Sequence, residues 1–439
     1  MTLDLVEGQS CAGSQTPREA GRESMTVSYD KPTQAQRTGI SREYWIWLVG
    51  VSLSLLGSQI MAFAMIWMAA GWGGFFAGAV LTAITLPRVV FLLAGGALAD
   101  RIGAWRVMVT SDFTMIAATL LLGGAVLVLG VQPYLLLTAA LVIGVVDAFY
   151  LPSSGSMPRR LVPGAGLARA MSARQAIGQL ATFAGASAGG LVVATAGLAA
   201  AAFMNAGTFV VMAAILIGLR PRSSATPTPP PAGGKALRRS ADGLRVAWSD
   251  PLLRSTLGLI AMAAGFLLPV SGLLVPLLAQ QRGWNAGTGG LLAGAVALGI
   301  VAVALTVTAT GTFSRPGLAA AAGLALAAAA IVALAFLPGA VPAVAAAAVI
   351  GVGSGVFSTH VGPLILGGAP STHVARVQSV LVLVQSLPLL ITINALGALN
   401  DLLSASVVLV VCAVFLLAAA VLGLRSPALR TAMAASRPK

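Results

Sequence analysis

Four ionisable side chains lie inside otherwise apolar stretches of this sequence, and their types suggest what chemistry those stretches perform. They are Arg88, Asp112, Asp147 and Arg174. A charged side chain within a lipid bilayer costs about 2.5–3.5 kcal/mol on insertion scales, so it normally marks a transport pathway or a buried ion pair. A carboxylate in such a place can take up and release one proton. Proton exchange is therefore the first chemistry to consider.

The depths of two of these residues favour an ion pair between them. Asp147 and Arg174 lie about eight and about six residues from the adjoining ends of their apolar runs. At 1.5 Å per residue in a helix, their levels differ by only about 3 Å. We predict that Asp147 carries the coupling proton and that Arg174 holds the carboxylate ionised until substrate or proton competes for it. The alternative is a static pair that only fixes two helices.

Arg88 and Asp112 are predicted to form a second buried charge pair. They occupy neighbouring apolar runs, the second and the third. We interpret this pair as mainly structural. Alternatively, Arg88 donates to backbone carbonyl groups that the neighbouring Pro87 leaves without partners.

The composition places these residues in a membrane. Of 439 residues, 58% are hydrophobic and only 9% are charged, whereas soluble domains carry roughly 25% charged residues. The net charge of +14 does not indicate nucleic acid binding, because the basic residues cluster at the ends of apolar runs. The two cysteines, Cys11 and Cys412, form no metal-ligand pattern. We therefore predict an integral membrane protein without metal or cofactor.

Twelve apolar runs have the length of about 20 residues that a bilayer core requires. We predict an all-α membrane protein with twelve transmembrane helices in two six-helix bundles. The predicted spans are 45–70, 74–98, 105–130, 133–156, 168–195, 198–219, 255–280, 286–310, 316–337, 341–366, 375–399 and 402–424.

The same pattern predicts five regions. Residues 1–42 form a disordered cytoplasmic tail, since they are polar and lack the basic start and apolar core of a signal peptide. Residues 43–220 and 254–425 are the two bundles. Residues 221–253 form a cytoplasmic linker whose second part is either an interfacial helix or a soluble one. Residues 426–439 form a cytoplasmic C-terminal tail.

The orientation follows from the basic residues. Of the 26 lysines and arginines, Arg88 and Arg174 fall within spans and only Arg282 falls on the loops opposite the termini. All others lie in the tails, on the loops of the same side as the termini, or within the first two residues of a span at that side. Because positive charge stays on the cytoplasmic side, both termini are predicted to be cytoplasmic.

A short charged stretch between the second and third runs carries a recognisable spacing. Gly96, Asp100, Arg101, Gly103 and Arg106 lie there, and the two glycines permit a tight reversal. The spacing G-x-x-x-D-R-x-G resembles the signature loop between spans 2 and 3 of the major facilitator superfamily of transporters. The alternative is an ordinary cytoplasmic hairpin loop.

The resemblance implies a substrate site near the membrane midplane between two rocking bundles. It also implies that Asp100 is a gating residue that meets the N-terminus of span 11 near Arg376, where the helix dipole favours an anion. Four further stretches indicate a particular family within the superfamily: residues 54–60, 86–88, 158–163 and 370–377. They resemble the bacterial drug:proton antiporters with twelve spans, which include macrolide exporters and relatives of the enterobactin exporter.

Span 5 resembles the antiporter motif G-P-x-x-G-G, with Ala186 in place of the proline. A stripe of small residues lets two helix backbones approach closely, and in the family this helix packs against the other half. Ordinary small-residue packing is the alternative explanation. The stripe on one helical face consists of Gly178, Ala181, Gly185 and Gly189, and Gly190 completes the motif.

Sparse polar side chains in apolar walls are the predicted substrate contacts. Such a lining suits a lipophilic compound held by apolar area with few directional bonds. His360 is alternatively a hydrogen-bonded packing residue. The predicted cavity residues are Gln59, Tyr150, Gln179, Asn205, His360, Gln378, Gln385 and Asn394.

The resulting hypothesis is proton-coupled efflux of hydrophobic small molecules across the bacterial inner membrane, with the lipid bilayer, protons and a lipophilic substrate as partners. The protein is expected to act as a monomer. A siderophore or metabolite exporter, or an uptake symporter, would use the same fold. A membrane scaffold or an intramembrane enzyme is the third class, but the sequence contains no H-E-x-x-H, G-x-S-x-G or nucleotide-binding loop. We therefore predict that it is not an enzyme.

Overall fold

Backbone groups in lipid must be satisfied within the protein, so each long apolar run is expected to form a helix. The computed structural model describes residues 40–162, 166–219, 250–368 and 374–432, without the side chains of residues 92, 93, 168, 363, 366–368 and 374–379. The regular elements in these ranges are all helices. They are α1 (Arg42–Ala70), α2 (Gly74–Ile102), α3 (Ala104–Leu129), α4 (Pro133–Leu161), α5 (Leu167–Gly218), α6 (Pro251–Phe266), α7 (Val275–Gln281), α8 (Ala286–Thr310), α9 (Pro316–Phe336), α10 (Ala340–Gly368), α11 (Val374–Leu402), α12 (Ala405–Arg425) and α13 (Pro427–Thr431).

The long helix α5 contains two spans. Its 52 residues would extend about 80 Å if straight, more than twice the roughly 30 Å thickness of a hydrocarbon core. Gly197 divides it, since its φ of 75° is not helical, and only glycine adopts that value without a Cβ penalty. Residues 167–196 and 198–218 are therefore the predicted fifth and sixth spans.

The seventh span consists of α6, a π-helical segment (Val270–Leu274) and α7. In total, 11 described helical stretches are long and apolar enough to cross a membrane, and one of them, Arg169–Gly218, holds two spans. The predicted twelve-helix architecture is thus confirmed. The largest error in a predicted end is at α4, which ends at Leu161 rather than at 156.

Parts of the predicted domain organisation lie outside the described residues. These parts are most of the N-terminal tail, the interfacial helix predicted in the linker, and the last residues of the C-terminal tail. We call residues 40–219 the first half and residues 250–432 the second half. The turns at Gly73 and Gly197 share one end of the molecule, the Gly73 end, and the turn at Gly103 lies at the other, the Gly103 end.

The predicted loop between spans 2 and 3 is shorter than expected. α2 continues to Ile102 and α3 begins at Ala104, so the turn is essentially Gly103, whose φ is 94°. Gly103 therefore permits the reversal, as predicted. Gly96 does not, because it lies within α2, where a Cβ would meet nothing within 4 Å. Asp100 and Arg101 form the exposed last turn of that helix.

The two halves contact each other toward the Gly73 end. The pairs that cross between them include α5 with α8, α2 with α11, and α1 with α7. Asn394 of α11 donates a hydrogen bond to the Thr82 hydroxyl of α2 over 2.8 Å. Gln280 of α7 donates to the backbone carbonyl of Trp67 in α1 over 2.6 Å. Directional bonds therefore supplement the apolar packing there.

The glycines of the motif predicted in span 5 contact two different neighbouring helices. A Cβ on Gly185 would lie 2.5 Å from the Cβ of Gln59, and one on Gly189 would lie 3.1 Å from the Ile60 carbonyl oxygen, so both face α1 of the same half. Gly190 instead faces α8 of the other half. Gly178 is looser, since its added Cβ would be 3.7 Å from the nearest neighbouring atom.

Adding one methyl group at Gly190 is expected to force the halves apart. Its Cβ would lie 2.5 Å from the Ala286 carbonyl oxygen and 2.7 Å from the Gly290 Cα, which are backbone atoms that cannot rotate away. Overpacking of this kind costs about 1–3 kcal/mol. Gly190→Ala should therefore lower the thermal unfolding midpoint of the purified protein.

Gly207→Ala is the matched control, since Gly207 lies in the same helix and a Cβ there would meet nothing within 4 Å. Alanine is favoured over glycine in a helix by about 0.5–1 kcal/mol, so this control should be neutral or stabilising. Equal midpoints for the two variants would contradict the close contact between α5 and α8.

Candidate functional site

A cavity of about 560 Å³ lies in the first half, among α1, α2, α4 and α5, with Met115 of α3 in its wall. Ligand sites commonly enclose about 300–1,000 Å³. Its lining begins at Leu48 and ends at Phe209, and none of it comes from the described second half. The cavity therefore belongs to one half.

The lining combines apolar and polar side chains in nearly equal number, and apolar atoms supply most of its exposed area. Methionines contribute strongly, and thioether side chains adapt to ligands of different shape. The apolar side chains are Leu48, Val51, Leu55, Met61, Ala62, Met65, Leu81, Ile84, Met115, Ile143, Leu151, Met171 and Phe209. The polar ones are Ser52, Ser54, Ser58, Gln59, Thr85, Arg88, Asp147, Tyr150, Ser154, Arg174, Gln175 and Asn205.

An ion pair lies in the cavity wall. The Arg88 guanidinium of α2 donates to the Asp147 carboxylate of α4. The side chains are 38% and 21% exposed, and both line the cavity, so a ligand or a proton that enters the cavity reaches them. Asp147 therefore has a cationic partner, but the partner is Arg88.

The ion pair in the structure joins one member of each predicted pair, so both predicted pairings are wrong. Asp147 was assigned to Arg174, yet Asp147 lies 14 residues from the end of α4 at Leu161, while Arg174 lies only 7 residues into α5. At 1.5 Å per residue this is a difference in depth of roughly 10 Å. The prediction placed the end of span 4 too early, which made the two depths appear equal.

Arg174 instead contacts residues near the Gly103 end. Its guanidinium donates to the Ser154 hydroxyl over 3.4 Å and lies 5.7 Å from the ring centroid of Trp47. A cation over an indole face is attracted by the ring quadrupole. Arg174 still lines the cavity, so it contributes positive charge to the wall at a different depth from Arg88.

Asp112 of α3 is fully buried, and neither carboxylate oxygen has a hydrogen-bond partner among the described residues. The predicted pair with Arg88 is therefore wrong, because Arg88 reaches Asp147 instead. The Tyr150 hydroxyl is also buried; it lies beside Ser54 and close enough to interact electrostatically with Asp112, Asp147 and Arg174.

The predicted polar cavity residues fall into three groups. Gln59, Tyr150 and Asn205 line the cavity, whereas Gln179, His360, Gln385 and Asn394 do not. The side chain of Gln378 lies outside the described part of the structure. Gln175, which sequence reasoning did not select, is in the wall.

His360 is a packing residue in this structure, so its assignment to the substrate cavity is wrong. Its Nε2 accepts a hydrogen bond from the Phe313 backbone N–H over 3.1 Å, and its Nδ1 lies 2.8 Å from the Val356 carbonyl oxygen. The Phe313 ring stacks on the imidazole with centroids 5.0 Å apart. His360 thus anchors the turn between α8 and α9 to α10.

The charged residues of the predicted gate lie at the Gly103 end. Asp100, Arg101 and Arg106 are all exposed there. The expected contact of Asp100 near Arg376 at the start of α11 cannot be followed, because the side chain of Arg376 is outside the described residues. The gating role of Asp100 stays a prediction.

Sequence reasoning missed a carboxylate that joins the halves at the Gly73 end. Asp401, in the last turn of α11, accepts hydrogen bonds from the backbone N–H groups of Gly74 (2.5 Å) and Phe75 (2.8 Å) at the start of α2. An anion at a helix N-terminus is favourable because the first N–H groups lack partners within the helix.

Twelve spans in two halves that meet at one end, with an ion pair facing a mainly apolar cavity, define a membrane transporter. The chain belongs to the Major Facilitator Superfamily, whose family model matches residues 47–393. The predicted family is therefore confirmed, and the chain is a multi-pass membrane transporter rather than an enzyme.

One curated relative is the multidrug efflux pump Tap from Mycolicibacterium fortuitum. The two sequences are 27% identical over 226 residues, which cover 50% of this chain and 55% of that protein. The match thus spans about half the length of the relative.

Solved structures share the fold. A crystal structure of the nucleoside transporter NupG superposes with a TM-score of 0.65 at 13% identity and covers 88% of this chain and 98% of that one. A POT family transporter in complex with 5-aminolevulinic acid gives a TM-score of 0.70 at 12% identity, with 88% and 96% covered. At these identities the likeness extends to the fold alone.

Proposed function

We propose that this transporter exports lipophilic small molecules in exchange for protons across the bacterial cytoplasmic membrane. The observation that carries the proposal is the Arg88–Asp147 pair in the wall of the cavity. A proton on Asp147 and the Arg88 guanidinium compete for the same carboxylate oxygens. Protonation releases the arginine, and deprotonation restores the pair, so the cavity alternates between two charge arrangements.

The lining supports a lipophilic substrate. Met61, Met65, Met115, Met171 and Phe209 offer adaptable apolar area. The polar side chains among them are mostly hydroxyls and amides, which can orient a ligand without demanding one fixed hydrogen-bond pattern. The partial similarity to a protein described as a multidrug efflux pump is consistent with export.

The arrangement of the halves supports alternating access. The contacts described between them lie toward the Gly73 end, so that end is the closed one. Apart from Arg282, the described basic residues outside the spans lie at the other end, which the positive-inside rule places in the cytoplasm. This conformation then receives substrate from the cytoplasmic side, as an exporter requires before it turns outward.

Flux in everted membrane vesicles tests the proposal. With an acidic lumen and a fluorescent lipophilic dye outside, protons leave the lumen, and an exporter should drive dye into it. Collapse of the gradient by a protonophore should stop that accumulation, and vesicles without the protein should show none. Dye flux that is indifferent to the gradient would refute proton coupling.

The direction of flux separates the proposal from the alternative of an uptake symporter. A symporter would move substrate in the same direction as protons, which is out of the acidic lumen. Gradient-driven loss of a preloaded compound from the lumen would therefore favour uptake and contradict export.

A further inference from the structure

Asp112 stands apart from the other acids of the described chain. Its side chain has no exposed area, and neither carboxylate oxygen finds a hydrogen-bond donor among the described residues. Burial of an ionised carboxylate without a partner costs several kcal/mol even after the protein relaxes. A bound proton would remove this cost, because a neutral carboxyl group needs no cationic partner.

The charged and titratable groups on the neighbouring helices do not compensate an Asp112 carboxylate. α3 packs against α2, α4 and α5. α4 presents Asp147 and Tyr150, α2 presents Arg88, and the first span of α5 presents Arg174. Arg88 is paired with Asp147, and Arg174 contacts Ser154 and Trp47. Residues 198–218 contain no titratable side chain.

A route connects Asp112 with the cavity. Tyr150 lines the cavity and interacts electrostatically with Asp112, and its buried hydroxyl lies beside the Ser54 side chain, which also lines the cavity. Met115, one helical turn beyond Asp112, lines the cavity as well. A phenolic hydroxyl accepts and donates one hydrogen bond at a time, so it can accept a proton from cavity water while it donates its own.

We propose that Asp112 is a second proton-binding site of this transporter, connected to the cavity through the Tyr150 hydroxyl. The inference rests on the proposed proton-coupled function. A proton from water in the cavity passes to the Tyr150 oxygen, the Tyr150 proton passes to an Asp112 oxygen, and the tyrosine ends neutral as it began. The two acids then differ in one conformation: Asp147 is ionised against Arg88, and Asp112 is protonated.

Infrared spectroscopy of the purified full-length protein in lipid tests this site without substrate and without a gradient. A protonated carboxyl group has a C=O stretching band that a carboxylate lacks. The wild-type protein at neutral pH should show such a band, Asp112→Asn should lose it, and Asp147→Asn should retain it. Absence of the band from the wild type, or its persistence in Asp112→Asn, would overturn the proposal.

Two further variants keep the test decisive. If Asp112→Asn does not fold, Asp112→Glu should shift the band in frequency, and an unshifted band would assign it to another acid. Tyr150→Phe should retain the band but slow its shift on transfer to deuterated water. Exchange as fast as in the wild type would overturn the route through Tyr150.

Transport measurements separate the proposed proton site at Asp112 from the proposed function, proton-coupled export. In the everted-vesicle assay, Asp112→Asn should lose gradient-driven dye accumulation but retain dye exchange without a gradient. Wild-type accumulation by this variant would remove Asp112 from the transport cycle. If the wild-type protein itself ignores the gradient, the proposed function fails, whereas the infrared result still decides whether Asp112 binds a proton.

Discussion

Asp147→Asn is expected to abolish gradient-driven export while leaving dye exchange across the membrane intact. Asparagine is nearly the same size as aspartate, so the cavity keeps its shape, but the amide neither ionises nor pairs with the Arg88 guanidinium. The transporter then lacks the carboxylate for which proton and arginine compete. The measurement is dye accumulation in everted vesicles with and without an acidic lumen.

Asp147→Glu is the matched control, since it keeps an acid that can reach Arg88 and should retain coupling in part. Gradient-driven accumulation at the wild-type rate and with wild-type pH dependence in Asp147→Asn would refute the assignment of Asp147.

The identity of the partner is tested by double-mutant cycles on unfolding free energy. Arg88→Gln and Asp147→Asn should be strongly non-additive, because the two side chains form one ion pair. Arg174→Gln and Asp147→Asn should be coupled much more weakly, because the two residues differ in depth by roughly 10 Å and share only Tyr150 as an electrostatic neighbour. If Arg174 and Asp147 were strongly coupled and Arg88 and Asp147 were not, the ion pair predicted from the sequence would be correct.

Asp401→Asn is expected to shift the protein toward the conformation that is open at the Gly73 end. The carboxylate accepts hydrogen bonds from two backbone N–H groups of α2, in the other half. Asparagine has one acceptor oxygen and no charge, so one N–H loses its partner. A hydrogen bond to a charged group contributes about 1.5–3 kcal/mol, and about 1.4 kcal/mol corresponds to a tenfold change in population.

Spin labels at Trp72 and Leu403 report this shift. Both side chains are exposed, 43% and 55% respectively, and they lie on opposite halves at the Gly73 end. With the two native cysteines replaced by alanine, Asp401→Asn should increase the fraction of long distances between the labels by roughly tenfold.

Asp250→Asn provides a control with the same chemistry inside one half. Asp250 accepts from the backbone N–H groups of Leu252 and Leu253 at the start of α6. Its replacement should lower thermal stability without changing the distances between labels. Identical distance distributions for Asp401→Asn and the wild type would show that this contact does not hold the halves together.

The spans could be predicted because lipid imposes both their length and their polarity. Glycines then fixed the turns, as Gly103 and Gly197 illustrate with φ values of 94° and 75°. The side-chain partners depended on details that hydropathy does not carry. α4 continues through Pro158 to Leu161, and those few residues decide which arginine meets Asp147.

Contacts between distant parts of the chain were the least predictable. Asp401 caps a helix that begins 327 residues earlier, and no local pattern relates the two. His360 is similar, since its role as an acceptor depends on the Phe313 N–H group supplied by a neighbouring turn. In contrast, all four charges within the spans could be singled out from the sequence, because their cost in lipid is independent of their partners.

Because the described lining of the cavity comes from one half, the substrate selectivity of a chimeric transporter should depend on which parent supplies that half. Every described lining side chain lies between Leu48 and Phe209, so we expect the first half to decide which compounds the cavity accepts. In a chimera that joins residues 1–219 to the second half of another family member, the range of exported compounds should follow the first parent. The turnover rate should instead follow the second parent, which supplies the opposing surface.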